Sequence, residues 1–275
     1  MNYKQSNKNS MKKLTNGIFS GVAAIVFGAS PIKAQGPYLP DENTMALYHF
    51  EESNPDSVYD SSTNLNHGRV FGNATRTQEG RFGNAIIFDG IDDFIKINDS
   101  GSLDLSNEMT VEAWAKYAPN YEGSARWIVS KRDDQCCTSG NYVVAWGCDQ
   151  SCFITLSYTS TIPGLEEGVR HIWYPTPNSW HHVAGTYDGS YLRFWLDYQL
   201  VSTHVTNARN QRTNNNPLII GAEGSIEGGV FGSFFKGTID EVRISNIARD
   251  FNQQASLPDE DPRISTWGKI KHTFK

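Results

Sequence analysis

Between Arg126 and Tyr174 the chain gathers the side chains best suited to acid–base and anion chemistry. Lys131 and Arg132 are adjacent, and Arg170-His-Ile-Trp-Tyr174 follows later in the same region. Guanidinium and ammonium groups pair with carboxylates or sulfates. Histidine and tyrosine can give or take a proton near neutral pH. Cleaving a polymer by elimination beside a carboxylate needs three things: a cation to neutralise the acid, a base for the adjacent C–H, and an acid for the departing oxygen. Lys131 and Arg132 fit the first task, and His171 and Tyr174 fit the other two. Arg126, Trp146, Arg170 and Trp173 would hold the substrate, since aromatic rings stack on sugar faces while arginine pairs with their anionic groups. No spacing motif stands behind these eight assignments, which rest on residue type and clustering.

The four cysteines fall in the same region: Cys136, Cys137, Cys148 and Cys152. A bond between the neighbours Cys136 and Cys137 would be strained. Two pairings remain, 136–148 with 137–152 or 136–152 with 137–148. Each bond closes a short loop and contributes on the order of 3 kcal/mol. The alternative, a zinc site, has the right atoms, but C-C-x10-C-x3-C is a poor spacing for zinc ligands. The expectation is therefore a long loop, basic and aromatic, braced by two disulfides.

Disulfides require an oxidising compartment, and the start of the chain points to one. Lys4, Lys8, Lys12 and Lys13 precede an apolar run from Ile18 to Ala29, and the small residue Ala34 follows. That order reads as a secretory signal peptide over residues 1–34, cleaved after Ala34 to release a protein outside the cell. The run is short for a membrane span, which takes roughly 20 residues. The whole chain of 275 residues has 24 Lys+Arg against 30 Asp+Glu, a net charge of −6. Removing the leader takes five lysines and no acid, which leaves 19 against 30, a balance of −11. So acidic a protein argues against nucleic acid or an anionic membrane as partner. An anionic ligand would need a locally basic site, and residues 126–174 supply one.

The elements that must position these groups read as strands. Thr110-Val-Glu-Ala-Trp-Ala-Lys116 alternates with period two, and Thr44–Phe50, Asn84–Asp89, Phe94–Ile97, Trp127–Lys131, Tyr142–Trp146, Phe153–Tyr158, His181–Tyr187, Leu192–Leu196, Leu218–Gly221 and Thr238–Ile244 are further strand-like runs between turn residues. Asp188-Gly189 lies between two such runs as a hairpin turn. More than ten strands and almost no helix predict an all-β, two-sheet antiparallel sandwich or jelly roll over residues 35–250. Residues 251–275, polar and carrying Pro258 and Pro262, read as an extension. The alternation around His181-His182 sends the two rings to opposite faces of their sheet.

Five stretches, in order, resemble the laminin-G-like branch of the concanavalin-A superfamily. They are Ala46-Leu-Tyr-His-Phe50 with Asp60-Ser-Ser and Asn66-His-Gly68; Arg81-Phe-Gly-Asn-Ala85 leading to Phe88-Asp-Gly-Ile-Asp-Asp-Phe94; Met109-Thr-Val-Glu-Ala-Trp114; Trp180–Gly189; and Gly237-Thr-Ile-Asp-Glu-Val-Arg-Ile244. The resemblance implies the same β-sandwich. It also implies a structural calcium ion at the sandwich edge, with Asp89, Asp92, Asp93 and Asp240 as the acidic residues in matching motifs. Asp240 and Glu241 would otherwise serve a turn or cap.

In size, export and style the chain is also similar to the short secreted ulvan lyases of marine bacteria, β-jelly-roll enzymes that cut a sulfated rhamnose–uronate polymer. That similarity implies a polysaccharide lyase acting on an anionic polysaccharide, with no organic cofactor. The Glu-x-Asp-x-x-Glu strand of the superfamily's hydrolases is not matched. The alternative is a non-catalytic carbohydrate-binding module of laminin-G type. Nothing in the sequence demands more than a monomer.

Overall fold

Strand Met109–Tyr117 shows why the sequence folds as it does. Val111, Ala113, Ala115 and Tyr117 are buried in the main core, while Glu112 and Trp114 are buried against the opposite side of the sheet. Strict alternation thus serves two apolar layers at once. The computed structural model describes residues 36–119, 126–132, 140–148, 152–161, 165–207, 211–224 and 230–252. The leader, Cys136 and Cys137, and the chain beyond residue 252 lie outside the described residues.

The strands of the first half are β1 (Thr44–Tyr48), β2 (Ser57–Val58), β3 (Gly68–Phe71), β4 (Thr75–Thr77), β5 (Ala85–Asp89), β6 (Phe94–Ile97), β7 (Met109–Tyr117), β8 (Arg126–Arg132) and β9 (Gly140–Cys148). Those of the second half are β10 (Cys152–Thr159), β11 (Glu166–Ile172), β12 (Trp180–Tyr187), β13 (Tyr191–Leu196), β14 (Gln199–Val205), β15 (Leu218–Ile220), β16 (Glu223–Gly224), β17 (Val230–Gly232) and β18 (Lys236–Ser245). The first sheet runs β14-β13-β12-β7-β18-β5-β4, with β1 also on β18, and the second runs β11-β10-β9-β8-β15-β6-β3-β2. Pairings are antiparallel throughout, and β16 with β17 forms a small separate ribbon. Among the described residues there is no α-helix, and none that could cross a membrane.

The sheets face each other across one core, built from residues such as Tyr48, Val111, Tyr142, Leu156, Phe194 and Ile244. Gly185 permits their closest approach on β12, since a Cβ there would lie 2.7 Å from the Leu156 side chain. Gly221 follows β15 with φ +88°, and a Cβ there would run into the Phe88 ring. Asp188 and Gly189 make the expected β12–β13 turn: Gly189 has φ +87° and Asp188 Oδ1 accepts from the Ser190 and Tyr191 N–H groups.

Residues 126–174 supply β8, β9, β10 and β11, four consecutive antiparallel strands at one side of the second sheet. The first three contain the expected runs Trp127–Lys131, Tyr142–Trp146 and Phe153–Tyr158, and β11 is an addition to them. One expectation about local structure is corrected. Asp240 and Glu241 serve neither a turn nor a cap. They sit inside β18 at a β-bulge between Asp240 and Arg243, where Glu241 takes φ +51°. The bulge aims both carboxylates at backbone: Asp240 Oδ2 accepts from Phe82 N at 2.9 Å, and Glu241 Oε2 from Tyr38 N at 2.9 Å. Phe251 is also buried, against Trp195, Tyr198 and His182, so the packed domain reaches past residue 250.

Candidate functional site

Strands β8 to β11 carry a face turned away from the main core. Register places Trp127, Ala145, Thr155 and Arg170 side by side across the four strands. The next row along the same face is Ser130, Val143, Ser157 and Gly168. Trp127, Val143 and Ala145 form a small apolar cluster separate from the core. The Arg132 guanidinium carbon lies 5.2 Å from the centre of the Trp127 ring, a cation–π contact. Arg132 also borders a shallow depression with Asn141, Ser157 and Thr159. Arg170 is exposed. The same face continues through Ile219 on β15 to Lys96 on β6 and Arg69 on β3. The result is a strip of aromatic, hydroxyl and cationic groups on an otherwise acidic chain.

A bulge decides which residues join that strip. The β8–β9 register shifts between Trp127 and Val129, which reverses the in–out parity of the rest of β8. Lys131 therefore points inward beside Tyr142. It is fully buried, with Nζ 2.8 Å from Asp99 Oδ1, 3.1 Å from Asp104 Oδ1 and 2.8 Å from the Asn214 carbonyl. Its charge is spent inside the fold and does not reach the face where Arg132 stands.

The other expected site residues are dispersed as well. Arg126 is half-buried and donates to the Phe234 carbonyl at 3.1 Å. Trp146 belongs to the core and donates from Nε1 to the Trp173 carbonyl at 3.3 Å, so its ring offers no stacking surface. His171 lies opposite Ile154, on the core side of β11, and so on the reverse of the strand from Arg170. Trp173 packs edge-on against Tyr117 and His181 at 5.5 and 5.0 Å. Tyr174 is 65 % exposed beyond the end of β11. Of the eight, Arg132 and Arg170 share one outward side of the sheet, where Arg132 is half-buried and Arg170 exposed while Trp127, Val143 and Ala145 between them are buried. Trp127, Ser157 and Thr159 belong to that face too, and period-two reading of β8 and β10 could have found them.

Cys148 and Cys152 are direct register partners at the ends of β9 and β10. The pairing of the four cysteines lies outside the described residues.

The two histidines of β12 part as the alternation requires. His182 is buried on the outer side of the first sheet, with Nε2 3.0 Å from Glu112 Oε2, and its ring stacks on Tyr198 at 4.0 Å. The other oxygen of Glu112 accepts from Arg243 at 2.6 Å. Burial pushes the Glu112 pKa up, but the Arg243 charge and the His182 hydrogen bond outweigh it and hold the acid at about 2. His181 lies on the core side of β12, the side of Val183, and its Nδ1 lies 2.8 Å from Asp197 Oδ2. Its Nε2 is buried with no partner among the described residues.

Asp89, Asp92 and Asp93 form a cluster whose ligand atoms lie within 4.8 Å of one another. Asp93 already accepts from Asn73 N at 2.6 Å and from Asp89 N at 2.8 Å, and its burial raises its pKa. Gly72, with φ +75°, closes over them, where a Cβ would lie 2.5 Å from the Asp92 carbonyl. An all-oxygen donor set of this kind fits calcium. Asp240 is not one of this cluster, being committed to the bulge in β18.

The sequence profile of the concanavalin A-like lectin/glucanases superfamily, of laminin-G type, matches residues 89–253, most of the described sandwich. The chain belongs to that superfamily. No curated protein sequence is similar enough to count as a relative.

Solved structures with the superfamily fold include the binding domain of Paraclostridial Mosquitocidal Protein 1, at TM-score 0.59 and 16 % identity over 78 % of this chain and 51 % of that one. Domain 4 of AbnA, a GH43 extracellular arabinanase from Geobacillus stearothermophilus, in complex with arabinotriose, gives TM-score 0.56 and 20 % identity over 78 % of this chain and 97 % of that one. The Botulinum Neurotoxin serotype G binding domain gives TM-score 0.59 and 12 % identity, over 78 % and 50 %. The chain thus spans about half the length of the two toxin domains and nearly all of the arabinanase domain. At these identities the likeness is one of fold.

Proposed function

We propose that this protein is an exported, monomeric binder of an anionic polysaccharide, held on the outward face of β8–β11. The observation that carries the reading is the Arg132–Trp127 contact in the same strip as exposed Arg170. Trp127 is buried and backs the Arg132 guanidinium, and the two guanidinium groups pair with the carboxylate or sulfate of the sugar chain. The arabinanase domain shows that the fold can hold an oligosaccharide. Calcium at Asp89, Asp92 and Asp93 would pin the β5–β6 turn to the β3–β4 connection. Disulfides from Cys136 and Cys137 to Cys148 and Cys152 would tie the β8–β9 connection to the β9–β10 hairpin.

A second reading, eliminative cleavage of a uronate-containing polymer such as ulvan, draws on a different observation. The His181–Asp197 pair leaves Nε2 of the ring as the atom able to take a proton, beside Trp173. That atom is buried, so this chemistry requires Trp173 to swing away. The two readings separate in one experiment: incubate the protein with ulvan, alginate and polygalacturonate, following ultraviolet absorbance and retention. Retention with a flat trace is the expected result. A rising trace with new reducing ends establishes the lyase, and neither retention nor turnover removes both readings.

A further inference from the structure

The outer face of the first sheet holds a groove of about 400 Å³, within the range of small-molecule pockets. Its floor is Trp195 and Thr186, joined by a hydrogen bond from the indole Nε1 to the threonine hydroxyl at 3.2 Å. One wall is Arg193 with Asp188, and the rim is Leu200, which is 45 % exposed. The opposite wall is the segment leaving β18, Ala248 to Asn252, together with Glu108. None of these residues belongs to the strip on β8–β11.

The charges in the groove are arranged against binding an anion. Arg193 donates to Asp188 Oδ2 at 2.6 Å, and Arg249 grips both oxygens of Asp41 at 2.7 and 2.8 Å. Both guanidinium groups are therefore neutralised within the protein. Burial opposes ionisation of Asp188, but Arg193 and the turn N–H groups outweigh it and keep the carboxylate ionised. Glu108 uses Oε2 to accept from Ala248 N, and Asp250 uses Oδ1 to accept from Asn252. Among the described residues the second oxygen of each has no partner. Two acids with an oxygen to spare thus line a cleft that also has an apolar rim, and both are exposed and water-screened, so that they would hold a bare cation only weakly.

We infer that this groove is a second ligand site, specific for a neutral oligosaccharide. Sugar hydroxyls donate to Glu108 Oε1 and Asp250 Oδ2, and a C–H face of the ring rests against Leu200 and Ala248. The protein then presents two sites of different chemistry on opposite outer faces, one for an anionic chain and one for a neutral one.

The test titrates the full chain with arabinotriose, xylotriose, cellotriose and maltotriose by calorimetry, with tryptophan fluorescence as a second readout. At least one should bind with a millimolar or tighter Kd. The Glu108→Ala/Asp250→Ala pair should weaken it by about tenfold or more, and Leu200→Ala should weaken it less. All three positions are exposed, and unchanged circular dichroism checks that the variants fold. Arg132→Ala/Arg170→Ala should leave the trisaccharide affinity unaltered. Failure of all four sugars to bind overturns the inference. So does binding indifferent to the Glu108/Asp250 pair or lost with the two arginines, or binding of cadaverine in place of every sugar.

Discussion

The Lys131 ammonium meets the Asp99 carboxylate at 2.8 Å inside the sandwich. Asp104 and the carbonyls of Asn214 and Asn216 complete its shell, so β8 is fastened to the loops before β7 and before β15. Breaking such an arrangement strands charge that is already partly desolvated. Lys131→Ala should cost on the order of 2 kcal/mol, because Asp99 and Asp104 keep some contact with water. Chemical denaturation measures the loss, and the folded variant should retain wild-type polysaccharide binding. A selective loss of binding with stability intact would place Lys131 in the site after all.

The buried Glu112–Arg243–His182 group predicts a pH response. The Glu112 pKa is depressed in the folded state to about 2, against an ordinary value of 4.5. Its contribution is therefore full above pH 4.5 and lost as pH falls through the folded value. Urea midpoints should decline between about pH 4.5 and 2. In Glu112→Gln, destabilised at pH 7 by about 3–5 kcal/mol because Arg243 loses its counter-charge, that decline should be shallower.

How much was legible in the sequence follows from the same residues. Alternation in Thr110–Lys116 and His181–Tyr187 foretold β7, β12 and the parting of the two histidines, because a two-sided strand must repeat with period two. The runs Trp127–Lys131, Tyr142–Trp146 and Phe153–Tyr158 foretold β8, β9 and β10, whereas β11 was missed for a physical reason. In β11 the inward positions include Glu167, whose burial is sustained by His204 and the Asn207 N–H, so polarity there does not mean exposure. Lys131 was misassigned because one extra residue at the Trp127–Val129 bulge reverses the parity of β8, and no composition signal marks it. Arg132 and Arg170 were found by charge alone, whereas Trp127 needed the register.

Calcium bound at Asp89, Asp92 and Asp93 should stabilise the fold by mass action, by about 2.7 kcal/mol at a hundredfold excess over Kd. Tm measured with calcium and with a chelator should differ in the wild type. The difference should vanish in Asp92→Asn/Asp93→Asn, while Asp240→Asn should preserve it on a less stable background. Equal melting with and without the ion would remove calcium from the account.

Gly221→Ala tests the packing of the two sheets at the end of β15. The new methyl group meets the Phe88 ring while the backbone stays at φ +88°, so the two penalties add. A loss of about 2–3 kcal/mol is expected by denaturant titration. A near-neutral result would mean that Phe88 has room to move.

The most direct test of the central claim is the affinity of the protein for an anionic polysaccharide that it retains, measured by calorimetry for the wild type and for Arg132→Ala/Arg170→Ala. The strip on β8–β11 predicts that the double variant, still folded, loses at least about tenfold in affinity and most of its salt sensitivity. Trp127→Ala should weaken the same interaction. Unchanged affinity and salt dependence in the double variant would contradict the account and move the ligand to another face of the sandwich.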